Sequence, residues 1–130
     1  PKALMARNSA EENMETLHEI MDRAQGYTGF SNFMGSRFMA DEKKLRPFLQ
    51  YLKDIGMLFL DTTPGTASTA ALETVSETKV PFLKSDITLD DVPTDVSIRE
   101  NLRKLETIAA RQGYAVGLAS GYPVTFAALL

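Results

Sequence analysis

The chain has 130 residues, a length that suits one domain or part of one. With 44% hydrophobic and 24% charged residues it is not a disordered chain, and it can bury a real core. A net charge of −3, with Lys and Arg scattered among acids, argues against a nucleic-acid partner, and zero cysteine excludes disulfides and thiolate metal sites.

No apolar run approaches the roughly 20 residues of a membrane span, and no signal peptide is visible. Pro1 and the apolar run "VTFAALL" ending at Leu130 both look like cut ends, which predicts a piece of a longer protein. Ser9 and Glu12 fit a capping box, and Met14, Leu17, Met21 and Ala24 recur at helical spacing, so a helix is expected up to Gly26. Residues 27–33 follow as a strand. Asp41 opens a second helix carrying Leu45, Phe48, Leu49 and Leu52, and Gly56 closes it. Pro47 lies inside it and predicts a kink or a restart.

"MLFL" (57–60) reads as a strand covered on both faces. A helix over 67–78 is diluted by Thr and Ser, and residues 81–85 read as another strand. A long helix is expected over 97–112, with Ile98, Leu102, Leu105 and Ala109 on one face, stopped by Gly113. "YAVGLA" (114–119) is the next strand, and Pro123 starts a last helix.

Three times the chain writes helix, glycine, apolar strand: "AQGYTGF", "DIGMLFL" and "RQGYAVGL". Alternating α and β elements imply a parallel sheet with helical crossovers, either an open doubly wound sheet or a (β/α) barrel. Ligands bind at the C-terminal ends of strands in both. Four polar stretches fall there: "SNFMGSR" (31–37), "DTT" (61–63), "SDITLDD" (85–91) and "SGYP" (120–123). They make either one site or four ordinary loops.

These stretches carry a family resemblance along nearly the whole chain. "SAEENMETLHEIM", "NFMGSRF", "LKDIGMLFLDT" and "ASGYPVT" occur in the order of corresponding segments of the divergent polysaccharide deacetylase family. The chain resembles the C-terminal part of that domain. The resemblance implies a single domain over 1–130 and an α/β fold, a distorted (β/α) barrel present in part. It also implies carbohydrate metabolism at the bacterial envelope, in the periplasm or outside the cell, with a polysaccharide or oligosaccharide partner. In the wider group an Asp and two His residues hold a divalent metal, usually zinc, which activates water beside a carboxylate base.

Two departures alter the expectation. The histidine of the family's Asn-His-Met-Gly-Ser-Arg-Phe motif falls on Phe33, and the histidine of its last motif falls on Ser120. The sole histidine, His18, sits in the first helix beside Met14 and Met21 and reads as a partly buried surface residue. No zinc site and no cofactor are therefore expected, although oxygen ligands such as Asp61, Asp86 or Asp90 leave a hard cation open. Asp61 ends a buried strand and is the catalytic candidate, with capping of the Thr-rich turn as the competing role. Asn32, Phe33, Ser36, Arg37, Asp90, Ser120 and Tyr122 are the candidate substrate-binding residues. Asn32 can meet a sugar hydroxyl or tie down its loop. Arg37 can pair with an anionic group or bridge to Asp61 or Asp90. Gly35 is expected in a conformation other residues avoid. Phe33 can stack on a sugar or fill the volume of the lost metal site; filling is the favoured role, and Met34 and Phe38 are read as core.

Three functions compete: a deacetylase-type hydrolase, a metal-free glycan-binding or scaffold protein, and phosphate chemistry on an open sheet. The last rests on "FLDTT" and "GLASG", but Thr63 stands where a second Asp is wanted, and no P-loop Lys follows.

Overall fold

A computed structural model describes residues 2–130; Pro1, read above as a cut end, lies outside them. The described chain divides into two compact units, one running to Leu83 and one from Lys84 to Leu130. In chain order the elements are α1 (Ala10–Asp22), β1 (Gly29–Ser31), α2 (Ser36–Met39), α3 (Glu42–Asp54), β2 (Leu58–Asp61), α4 (Thr69–Thr78), β3 (Phe82–Lys84), β4 (Ile87–Thr88), α5 (Asp95–Gln112), β5 (Gly117–Leu118) and α6 (Pro123–Leu129). One sheet has the order β1-β2-β3 and a second pairs β4 with β5. β1 runs parallel to β2, with Phe30 opposite Phe59, and β4 runs parallel to β5. The α/β alternation is as expected, and these two sheets form no closed barrel.

In the first unit α1 starts at the expected capping box, with Ser9 and Glu12 bonded reciprocally. It ends at Asp22 rather than at Gly26, because the Arg23 and Ala24 N–H groups turn back to the Ile20 and Met21 carbonyls. Asn13 is buried in α1 and exchanges two 2.9 Å hydrogen bonds with the Met5 backbone, fastening the segment before the helix. α3 lies at the centre of the core: Leu45, Phe48, Leu49 and Leu52 are all buried on one face. Burying each such side chain contributes about 1.5–3 kcal/mol. The helix runs through Pro47 as one element, although Pro47 has no N–H to offer the Lys43 carbonyl. At the end of α3, Gly56 N–H bonds to Lys53 and Met57 N–H to Leu52. Met57 is spent on the helix terminus, so β2 begins one residue later than the apolar run suggests. Phe38, Phe48 and Phe59 meet edge to face, at 5.8 and 5.3 Å between ring centres.

In the second unit α5 begins two residues earlier than read, because the Thr94 hydroxyl caps the Ser97 N–H. Ile98 is buried, whereas Leu102, Leu105 and Ala109 are half-buried. Gly117 in β5 admits the Leu105 side chain: a Cβ there would lie 2.9 Å from Leu105 Cδ2. α6 starts at Pro123 as expected. The sequence reading missed α2 and β4, both too short to show a period.

Candidate functional site

Two strand ends in the first unit, those of β1 and β2, meet at Asn32. β1 stops at Ser31, two residues short of the predicted strand, because the Asn32 side chain takes over the ladder. Its Oδ1 accepts from Thr62 N–H at 2.7 Å and from Thr62 Oγ1 at 3.1 Å. Its Nδ2 donates to the Met34 carbonyl at 2.7 Å and approaches Asp61 Oδ1 at 3.5 Å. Thr62 Oγ1 also donates to the Asn32 carbonyl at 2.6 Å. The chain then turns sharply, with Met34 at φ 58° and Gly35 at φ 95°, the latter as expected for this glycine. Positive φ at a Met is uncommon, and the Asn32 bond to its carbonyl holds it there.

This turn pushes Phe33 outward. Its ring is 90% exposed and Met34 is 73% exposed, so neither fills a core; only Phe38 does. The favoured reading of Phe33 as a plug for a lost metal site is corrected by this geometry. The ring stands at the rim of an open apolar cavity rather than filling it. Ser36 and Arg37 are exposed on α2, and Arg37 makes no ion pair with Asp61 or any other group among the described residues.

Asp61 ends β2 fully buried. Its Oδ1 accepts from Thr63 N–H at 2.9 Å and Thr63 Oγ1 at 2.6 Å, which is the turn-capping arrangement. Its Oδ2 is buried without a hydrogen-bond partner. Thr62 and Thr63 are thus integral to the site, although only the Asp in "DTT" was singled out. An Asp followed two residues later by Thr is the local signal for such a turn.

The second unit holds a related arrangement. Asp90 is buried, and its Oδ2 accepts from Ser120 N–H and from Thr125 Oγ1, both at 2.7 Å, while its Oδ1 has no partner. It ties the chain after β4 to the start of α6. Thr125, buried and missed by the sequence reading, becomes apparent only through that contact. Asp86 accepts from Val116 N–H at 2.7 Å and Gln112 Nε2 at 3.1 Å, so both its oxygens are engaged. Ser120, Tyr122 and Asp91 are exposed. Asp95, in the first turn of α5, holds Arg99 through two 2.9 Å bonds.

The four polar stretches therefore come together in two pairs, "SNFMGSR" with "DTT" and "SDITLDD" with "SGYP". No group of three or more His, Cys, Asp or Glu side chains that could hold a metal ion exists among the described residues. His18 is exposed on α1 and meets Tyr51 edge-on at 5.0 Å. The residues present do not fit the zinc of the wider deacetylase group. No helix among the described residues is long and apolar enough to cross a membrane.

Comparison with known proteins agrees with the motif order. The Agrobacterium tumefaciens C58 protein ATU2773, known from its crystal structure, superimposes with a TM-score of 0.91 at 34% identity, over 99% of this chain and 52% of that one. The uncharacterized protein YibQ of Escherichia coli (strain K12) is 23% identical over 117 residues, 90% of this chain and 36% of its own length. The chain thus spans about half or less of these relatives. The sequence profile described as divergent polysaccharide deacetylase matches residues 1–130, through both units, and the chain belongs to that family.

Proposed function

We propose that this chain is a polysaccharide-binding member of its family, acting in the bacterial envelope without the zinc-dependent deacetylation of the wider group. The observation that carries the reading is Phe33: it stands at the motif's histidine position, cannot ligate a metal, and presents its ring to solvent at 90% exposure. An exposed ring with a fixed base suits stacking on the apolar face of a sugar. Asn32 supplies that fixed base by holding the Met34 carbonyl and Thr62 N–H. Ser36 and Arg37 offer donors on the same short segment. In the second unit Asp90 positions Ser120, and Ser120 and Tyr122 are the exposed polar groups for a glycan. The continuous family match supports one domain over 1–130, of the partial-barrel type.

The test is sedimentation with purified peptidoglycan sacculi, with and without EDTA, alongside acetate release from the same material. Binding that EDTA leaves unchanged, that Phe33→Ala weakens, and that releases no acetate is the expected result. Chelator-sensitive binding or acetate release overturns it.

One observation favours a second reading, residual hydrolysis with Asp61 as base: its buried Oδ2 makes no hydrogen bond within the chain. Acetate release abolished by Asp61→Asn, in a variant that still folds, would select this reading over the first.

A further inference from the structure

Resting on the polysaccharide-binding reading above, we infer that the segment from Phe33 to Arg37 selects an acidic glycan. The Arg37 guanidinium pairs with a carboxylate of the polymer while the Phe33 ring lies on a sugar face. Other cations of the first unit are spent on acids of the chain itself. Lys2 pairs with Glu19, Lys44 with Asp41, and Arg46 with Glu42 and Glu77. Arg37 is exposed and has no such partner among the described residues. The reason is local: from Arg23 to Ala40 the sequence has no Asp or Glu. The next acid along the chain, Asp41, is held by Lys44 at 3.2 Å. Asp61 is fully buried, with its Oδ1 turned to Thr63. The bridge from Arg37 to Asp61 that the sequence left open is therefore not made, and the guanidinium fork faces solvent.

A guanidinium presents parallel N–H donors that match the two oxygens of a carboxylate. At most about 14 Å separates the Cα atoms of Phe33 and Arg37, within the reach of one oligosaccharide. The Asn32 bond to the Met34 carbonyl steadies the turn between them. The net charge of −3 does not defeat the attraction. At physiological salt, exposed charges farther apart than about 8 Å are largely screened, so the acid-free neighbourhood of Arg37 decides.

The probes are purified peptidoglycan sacculi and the same sacculi with their carboxylates converted to amides, which removes charge and leaves the sugars in place. The unmodified chain is expected to bind the untreated material about two- to fivefold more tightly, the scale of one exposed ion pair. Salt at about 0.5 M should remove the difference. Arg37→Gln should bind the two materials alike, as weakly as the unmodified chain binds the amidated one. Phe33→Ala should weaken binding to both. Arg23→Gln makes the same change in net charge before β1 rather than after it, and should keep the full preference. Equal binding of the two materials by the unmodified chain, or an Arg37→Gln variant that still prefers the untreated one, overturns the charge requirement and leaves the polysaccharide reading standing. An equal loss in Arg23→Gln assigns the effect to net charge and also overturns it. Binding of neither material overturns both.

Discussion

Replacing Asn32 by Ala tests whether one side chain holds the turn that presents Phe33. The variant loses the acceptor for Thr62 N–H, at 2.7 Å, and the donor to the Met34 carbonyl, also at 2.7 Å. Thr62 is half-buried, so its N–H is poorly rehydrated, and leaving it unmet costs about 1–3 kcal/mol. Met34 is exposed, so its carbonyl recovers water and adds less, about 0.5 kcal/mol. The total is about 1.5–3.5 kcal/mol. At roughly 4 °C per kcal/mol for a chain of this size, Tm falls by about 6–14 °C. Urea unfolding followed by circular dichroism gives the energy, and amide exchange at Thr62 locates it. Asn32→Asp provides the contrast. It keeps the Thr62 acceptor but sets a second carboxylate against Asp61 Oδ1 and the Met34 carbonyl. At neutral pH it should be at least as damaging as Ala. A loss below about 0.5 kcal/mol in Asn32→Ala, with Thr62 exchange unchanged, would refute the reasoning.

Gly29→Ala should cost more than the usual 1–3 kcal/mol of overpacking, because the new Cβ would lie 2.6 Å from the Leu58 carbonyl oxygen, which is backbone in the paired strand; urea midpoints measure it, and a near-neutral result would contradict the tight β1–β2 approach. Asp90→Ala should lose about 2–4 kcal/mol, because it strips acceptors from Ser120 N–H and from the buried Thr125 hydroxyl, whereas Asp90→Asn keeps an acceptor oxygen and should lose clearly less. Equal losses in the two variants, or unaltered amide exchange in α6, would argue against that tie. The Glu19 carboxyl is held below the ordinary glutamate range, first by its hydrogen bond with Lys2 and then by the Lys2 charge. The stabilisation it gives is therefore present above the ordinary value and fades as pH falls through the lowered one. An NMR titration should find Glu19 titrating low and Lys2→Ala returning it upward, and a Glu19 unaffected by that substitution would remove the pairing.

The sequence by itself determined the order of the longer elements, though not of the short α2 and β4, because apolar periodicity and caps are local. Ser9 with Glu12, the face Leu45–Phe48–Leu49–Leu52, Gly113 and Pro123 each act within a turn or two of chain. The motif order likewise placed the chain in its family, and the loss of histidine at positions 33 and 120 could be read directly. Boundaries were less legible where a distant or reversed hydrogen bond decides them. β1 ends early because Asn32 bonds to Thr62, thirty residues away, and β2 starts late because Met57 N–H closes α3.

Only the tertiary structure decided which polar residues act together. Asp61 could be foreseen at a strand end, but not that Asn32 would reach its turn, or that Asp90 would clasp Thr125. It also decided the fate of Phe33. The sequence favoured Phe33 as a filler of the lost metal site, since hydrophobicity alone favours burial. The positive φ at Met34, held by the Asn32 amide, turns the chain so that the ring stands exposed at the rim.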